Sequence, residues 1–367
     1  MLAMTNIYEK YADLLCDYCL YLKKGERLLV RSTPLAEPLL QALHAALMTR
    51  GIIVEYMLGF KDKAKLTYNN AQDNVLETPS PFYDFATKHF DAFLTIDAPY
   101  DVHETKDVDA DKKTKAQLAV KDIRENFFQR SADGNVKWAL CVFPTDSAAK
   151  NCGMSLDEYQ TFVYEACFLT SPNPTNEWLA ISKKQQVAVD RLNKADMICY
   201  KGPNIDISFS TKGRTWINSD GKRNMPSGEV FSSPVESSVN GSIHFTCPTT
   251  YDGQDVEAIT LAVKDGVITH WKAEVGQAVL DRVFAIEGAR QFGEVAIGTN
   301  EQIQRITKNI LFDEKIAGTV HMAVGASYPE AGGLNKSVVH WDMITDMTKG
   351  EITADGEIIY QNGQFCL

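Results

Sequence analysis

The chain has 367 residues and a formal net charge of −11. That length gives a prior of roughly two to three domains, and the acidic balance argues against nucleic acid or an anionic membrane surface as a main partner. No apolar run approaches the roughly 20 residues a membrane helix needs, and MLAMTNIYEK shows no basic leader, apolar segment or cleavage site, so the expected location is the cytoplasm.

Residues 5–22 predict an amphipathic helix. Cys16 and Cys19 form a C-x-x-C inside its pattern YADLLCDYCLYL. A redox or zinc reading needs a strand-to-helix turn or a second cysteine pair, and neither is present, so both are expected as packed thiols. All eight cysteines are expected to be free, as suits a reducing compartment. Residues 26–32 predict a strand, 36–50 a helix ending at Gly51, and 52–58 a second strand. Strands at 90–97 and 136–144 follow, with helices at 115–129 and 155–169. Strands spaced by helices of this kind predict βαβ units and a mostly parallel sheet. No G-x-G-x-x-G opens any of these helices, so a dinucleotide site has no motif. His44 and His89 fall on helical segments and are expected to serve packing or the surface. The charged segment 99–114, with His103 and Glu104, predicts a surface loop. It lacks the glycine and terminal glutamate of a calcium loop.

Near residue 200 the pattern changes. IDISFST (205–211), VNGSIHFTCP and DVEAITLAVKDGVITHWKAEV predict antiparallel strands, with a two-residue hairpin turn at Asp265-Gly266. GEITADGEIIYQNG predicts another hairpin at Asp355-Gly356. The expected organisation is an α/β domain over 1–200 with a mostly parallel sheet. An α+β domain over 201–367 follows, with a mainly antiparallel sheet.

This second region concentrates side chains that bind metals. They are Glu229 in NMPSGEVFSSP, Glu294 in FGEVAIG, Glu314 in LFDEKIAG, His321 in TVHMAVG, and His340 with Asp342 in SVVHWDMI. Side chains two apart on a strand share a face. His340 and Asp342 are therefore expected to project together, with Val339, Trp341 and Met343 packed behind. A buried imidazole and carboxylate need a partner, and a divalent metal is the simplest. Taken singly, each residue has an ordinary reading as a salt bridge, a cap, a solvated charge or a core histidine. Four carboxylates and two imidazoles together exceed what one catalytic ion usually takes, and suit two ions about 3.5–4 Å apart. Such a donor set favours zinc, cobalt or manganese.

NMPSGEVFSSP, FGEVAIG, LFDEKIAGTVHMAVGASYPEAGGLN and KSVVHWDMI, with TKGRTWINSDGKRN upstream, resemble the metal-site motifs of the aminopeptidase T/aminopeptidase S (PepS-like) family of dinuclear metalloaminopeptidases. The resemblance runs the length of the chain. It implies two divalent ions held by Glu229, Glu294, Glu314, His321, His340 and Asp342, with Glu294 bridging them. It implies Tyr328, in ASYPEAGG, as the active-site tyrosine, and a homodimer acting on short peptides with a free N-terminus. The implied chemistry is attack by a metal-activated water on the first peptide bond, with the Tyr328 hydroxyl donating to the oxyanion. Two other readings stand beside it. One is another dimetal hydrolase, an amidase or phosphoesterase; phosphate sites usually add Arg or Lys, and Lys315 and Lys336 are the nearby cations. The other is a dimeric metal-binding protein without turnover.

Overall fold

The computed structural model describes residues 2–367, with side chains from residue 7 onward. The chain divides into two compact units. The first runs to Thr175 and takes in Gly221–Pro226; the second comprises Asn176–Asp220 and Ser227–Leu367. The second unit thus takes in most of the long helix Pro174–Leu192, ahead of the change of pattern near residue 200.

The first unit is α/β. Strands Arg27–Ser32, Ile53–Leu58, Ala92–Asp97 and Lys137–Val142 pair in parallel. A fifth short strand, Asn224–Met225, comes from far along the chain and adds in parallel to Lys137–Val142. Helix Glu37–Arg50 stops at Gly51, whose φ of 68° lets its N–H reach back to the carbonyls of Leu47 and Met48. Helix Leu156–Ala166 opens with a capping box between Ser155 and Glu158. Where one helix is expected over 115–129 there are two, Ala110–Ala119 and Lys121–Ala132. The break is Val120, whose φ and ψ of −101° and 5° leave the helical region. Cys16 and Cys19 are buried in a π-helical turn, Leu14–Cys19, and none of the eight cysteines forms a disulfide. In the 99–114 segment, the Glu104 carboxylate accepts the N–H groups of Ala64 and Lys65 at the start of helix Lys63–Asn70. Among the described residues no helix is long and apolar enough to cross a membrane.

The second unit is α+β. Its eight-stranded antiparallel sheet includes the two expected hairpins. Asp265 and Gly266 have φ of 50° and 79°, and Asp355 and Gly356 have φ of 53° and 85°, as two-residue turns of this kind require. A five-stranded antiparallel sheet runs in the order His340–Asp346, Thr319–Gly325, Phe292–Gly298, Glu229–Ser232, Ile217–Ser219. Alternate residues of these strands point to opposite faces. On one face Val230, Val295, Ile297, Val320, Met322, Val324, Trp341 and Met343 join a core shared with Tyr200, Phe209 and Leu261 of the larger sheet and Leu280 of helix Gln277–Phe284. The other face carries the polar side chains.

Candidate metal centre

Strand register explains the convergence. Glu294 lies opposite Ala323, which lies opposite Asp342. Ala296 lies opposite His321, Gly298 opposite Glu229, and Gly325 opposite His340. Directly opposed residues share a face. Glu229, Glu294, His321, His340 and Asp342 therefore stand together, spaced by alanines and glycines that leave room between them. One local device is needed. Plain alternation would put Phe292 and Glu294 on the same side. A bulge between them lets Phe292 turn into the core while Glu294 faces the cluster. Gly293 makes this possible, since a Cβ there would lie 2.2 Å from the Ala326 carbonyl oxygen.

Glu314 reaches the cluster from outside the sheet. It follows a one-turn helix, Ile310–Asp313, capped by Asn309. The Asp313 carboxylate accepts the Thr307 N–H and hydroxyl and the Lys308 N–H, which fixes the approach to that turn. The chain after Glu314 crosses directly over Gly298, where a Cβ would meet the Ile316 carbonyl oxygen at 2.2 Å. Gly298 is the partner of Glu229, so the crossing sets Glu314 beside Glu229.

The donor atoms form two groups, Glu229 with Glu314 and His321, and Glu294 with His340 and Asp342; within each they lie within 4.8 Å of one another. Glu294 faces both. Its Oε1 is 3.7 Å from His321 Nε2 and its Oε2 is 3.2 Å from His340 Nε2. His321 Nε2 is also 3.4 Å from Glu229 Oε2, and His340 Nε2 is 3.6 Å from Asp342 Oδ2. His340 Nδ1–H donates to the Ala326 carbonyl at 2.9 Å, which turns Nε2 toward the carboxylates. His321 is fully buried, yet neither of its ring nitrogens has a hydrogen-bond partner; the same holds for Glu229 Oε2 and Asp342 Oδ1. Buried polar atoms without partners are costly and uncommon. Such atoms on three members of one cluster of carboxylates and imidazoles, His321, Glu229 and Asp342, fit divalent cations well.

The electrostatics agree. Burial pushes the carboxyls of Glu229 and Asp342 above the usual carboxylate range. Glu294 goes the other way: burial raises it, but the neighbouring imidazoles of His321 and His340 outweigh that and hold it low. Burial lowers His321, yet Glu294 and Glu229 bring it up to about 9.

Tyr328 sits on the loop joining the His321 and His340 strands. Its hydroxyl is 3.4 Å from His340 Nε2. Its ring lies 5.0 Å from the His340 ring and 5.2 Å from that of Phe231. Its N–H donates to Ser233 Oγ. Asn335 ties down the base of the loop, donating to the carbonyls of Gly325 and Gly288 and accepting the Ser327 N–H. The negative charge of Glu294, followed by burial, holds the phenol well above its ordinary pKa, so it stays a donor.

All six metal-type side chains named from the sequence, and Tyr328, are thus brought together. Trp341 faces away, as alternation predicts, and its Nε1–H donates to Thr249 Oγ1. Three further residues join the site; the sequence marks Lys315 only as a nearby cation and gives no signal for Gln185 or Phe231. Lys315 is buried against Glu314 and Glu229. Gln185 donates to the Glu229 carbonyl and so fixes the start of that strand. Phe231 lies on the polar face beside Tyr328. A lysine next to a glutamate, a glutamine on a helix and a phenylalanine on a strand are all common on surfaces or in cores, and only the crossing of distant segments gives them a role.

Comparisons with known proteins bear on this site. The family model described as thermophilic metalloprotease (M29) matches residues 4–365. Aminopeptidase 2 of Geobacillus stearothermophilus is 27% identical, with 97% of each chain covered. Aminopeptidase AmpS of Bacillus subtilis is 30% identical over 62% of this chain and 63% of its own. The solved structure of wild-type AmpT from Thermus thermophilus matches with a TM-score of 0.85, covering 99% of this chain and 100% of that one; at 23% identity it shows a shared fold. With a match across nearly its whole length, the chain belongs to the thermophilic metalloprotease (M29) family, and it is an enzyme whose curated relatives are aminopeptidases.

Proposed function

We propose that this protein is a dinuclear metal-dependent aminopeptidase that removes the N-terminal residue from short peptides. The observation that carries the reading is Glu294, one carboxylate whose two oxygens face His321 and His340 in two adjoining donor groups. In this reading Glu229, Glu314 and His321 hold one ion, His340 and Asp342 hold the other, and Glu294 serves both. Zinc, cobalt and manganese all suit this donor set. Ions bound there supply a nucleophilic water at neutral pH and polarise the scissile carbonyl. The protein's own residues do the rest. The Tyr328 hydroxyl donates to the oxygen that gains charge as the carbonyl is attacked. Its loop holds it there through Ser233 and Asn335. The free amine of the substrate is held within the cluster of carboxylates, which restricts cleavage to the first bond. We place the enzyme in the cytoplasm as a homodimer, in line with its cysteine content and the resemblance of its motifs.

The phosphoesterase reading loses its main support. The Lys315 ammonium is taken up by Glu314 and Glu229 and is fully buried, so it does not present a cation to a phosphate. The test is release of free amino acids from a panel of short peptides by chelated and metal-restored enzyme, with N-acetylated peptides as controls. Stepwise, metal-dependent release from free N-termini, with blocked peptides inert, is the expected result. Efficient internal cleavage of blocked peptides would defeat the proposal.

A further inference from the structure

Lysine is almost never fully buried unless it is paired, and Lys315 has no exposure at all. Its ammonium contacts Glu314 Oε1 and lies 3.5 Å from Glu229 Oε1. Its backbone is pinned on both sides, with its N–H donating to the Phe312 carbonyl and its carbonyl accepting the Asn300 N–H at 2.9 Å. The side chain therefore stands as a fixed positive charge against one donor group, Glu229 with Glu314 and His321. The ion pairs of the other group, Glu294 with His340 and Asp342, are to imidazoles. That second group is also the more open one, with the His340 side chain 29% exposed.

Resting on the dinuclear reading above, we infer that Lys315 is a resident counter-ion of the Glu229–Glu314–His321 group. It shares that group's carboxylates with an entering divalent cation, and so makes this half of the centre the weaker of two unequal ion sites. Two effects support it. Like charges a few ångströms apart in a buried site oppose each other. The same ammonium also compensates two buried carboxylates when no ion is there, which stabilises the unfilled state. Both lower the affinity of one half, and both fall off toward the other. The two ions are then expected to bind in order, with the Glu294–His340–Asp342 half filling first.

The test is titration of metal-free wild-type protein and Lys315→Met with zinc alone, by calorimetry with a competing chelator. Methionine keeps an unbranched stem and removes the charge. Wild type is expected to show two unequal affinities. In Lys315→Met the weaker one tightens by about tenfold or more, while the stronger moves much less. Thermal melts supply a second readout: metal-free Lys315→Met melts well below metal-free wild type, and saturating zinc narrows the gap. Should Lys315→Met fold only with zinc present, Lys315→Gln purified with zinc is challenged with excess chelator, and its faster-leaving ion is expected to leave more slowly than in wild type. Affinities unchanged or weakened in Lys315→Met, or ion loss as fast as wild type in Lys315→Gln, overturn the inference. Absence of zinc uptake by wild type defeats instead the dinuclear reading beneath it.

Discussion

The two faces of the five-stranded sheet are made by the same strands from alternate residues, yet their physics is opposite. One face is apolar and close-packed: Val295, Val320, Met322 and Met343 have no measurable exposure. The other is nearly as buried but carries three carboxylates, Glu229, Glu294 and Asp342, the last on the same strand as His340, which it faces. The first face lowers the free energy of the fold, since burying a large apolar side chain contributes about 1.5–3 kcal/mol. The second raises it, since desolvated charges cost more than their mutual attraction returns unless the pairing is complete. The difference teaches that stability and function are divided here at the level of single alternating residues. The apolar face keeps the sheet rigid enough to hold a donor set that, left to itself, would open.

The largest effect that would sharpen this comparison comes from Glu294→Gln. The change keeps the shape and removes the charge that both donor groups share, so metal content should fall and peptide hydrolysis should drop to background. His340→Ala and Asp342→Ala should behave alike. Normal metal content and activity in Glu294→Gln would show that the polar face is not the functional one.

Tyr328→Phe comes next. Losing a single oxyanion donor typically costs about 10²–10³ in rate, or roughly 3–4 kcal/mol. The loss should fall on kcat more than on KM, with metal content unchanged. A wild-type kcat would reduce Tyr328 to a ring packed on Phe231 and His340.

Changes on the apolar face should show the reverse pattern. Met322→Ala lies between its neighbours His321 and Ala323 but points into the core, and should lose about 2–5 kcal/mol of stability. Its folded fraction should keep full metal content and kcat. Trp341→Phe loses ring volume and the bond to Thr249, and should cost about 1–3 kcal/mol. Denaturant melts with metal analysis would check both. Metal loss in Trp341→Phe beside retention in His340→Ala would mean the strand register is wrong.

The smallest expected effect is on pH. In chelated protein His321 is raised to about 9, from an ordinary value near 6.5. The folded state thus holds its proton more tightly than the unfolded state. That contribution to stability is complete below about pH 6.5 and is lost as pH rises through about 9. Melting temperatures of chelated protein should decline over that window. Protein saturated with metal should not show the decline, because an ion in place of the proton makes the imidazole neutral throughout. Identical pH profiles with and without metal would count against the imidazole serving as a ligand.

Much of the molecule was readable along the chain. The period of two in SVVHWDMI and TVHMAVG set which residues share a face. Gly51, Asp265-Gly266 and Asp355-Gly356 marked ends and turns because each needs a backbone conformation that few residues adopt cheaply. The motifs around Glu229, Glu294, Glu314, His321, His340 and Asp342 named the cluster before any distance was known. Local pattern could not place these segments against one another. Alternation alone would have grouped Glu294 with Phe292, and the bulge at Gly293 reversed that. The helix break at Val120 and the return of Asn224–Met225 to the parallel sheet left no periodic trace. Glu314 and Lys315 meet Glu229 only because the chain crosses over Gly298, roughly 70 residues downstream of Glu229. Side-chain period is a property of neighbouring residues, so the sequence by itself determined the faces, the turns and the chemistry available. Register, bulge and crossing depend on contacts between segments far apart in the chain, so only the tertiary structure decided which carboxylates share a histidine and which are held by a buried lysine.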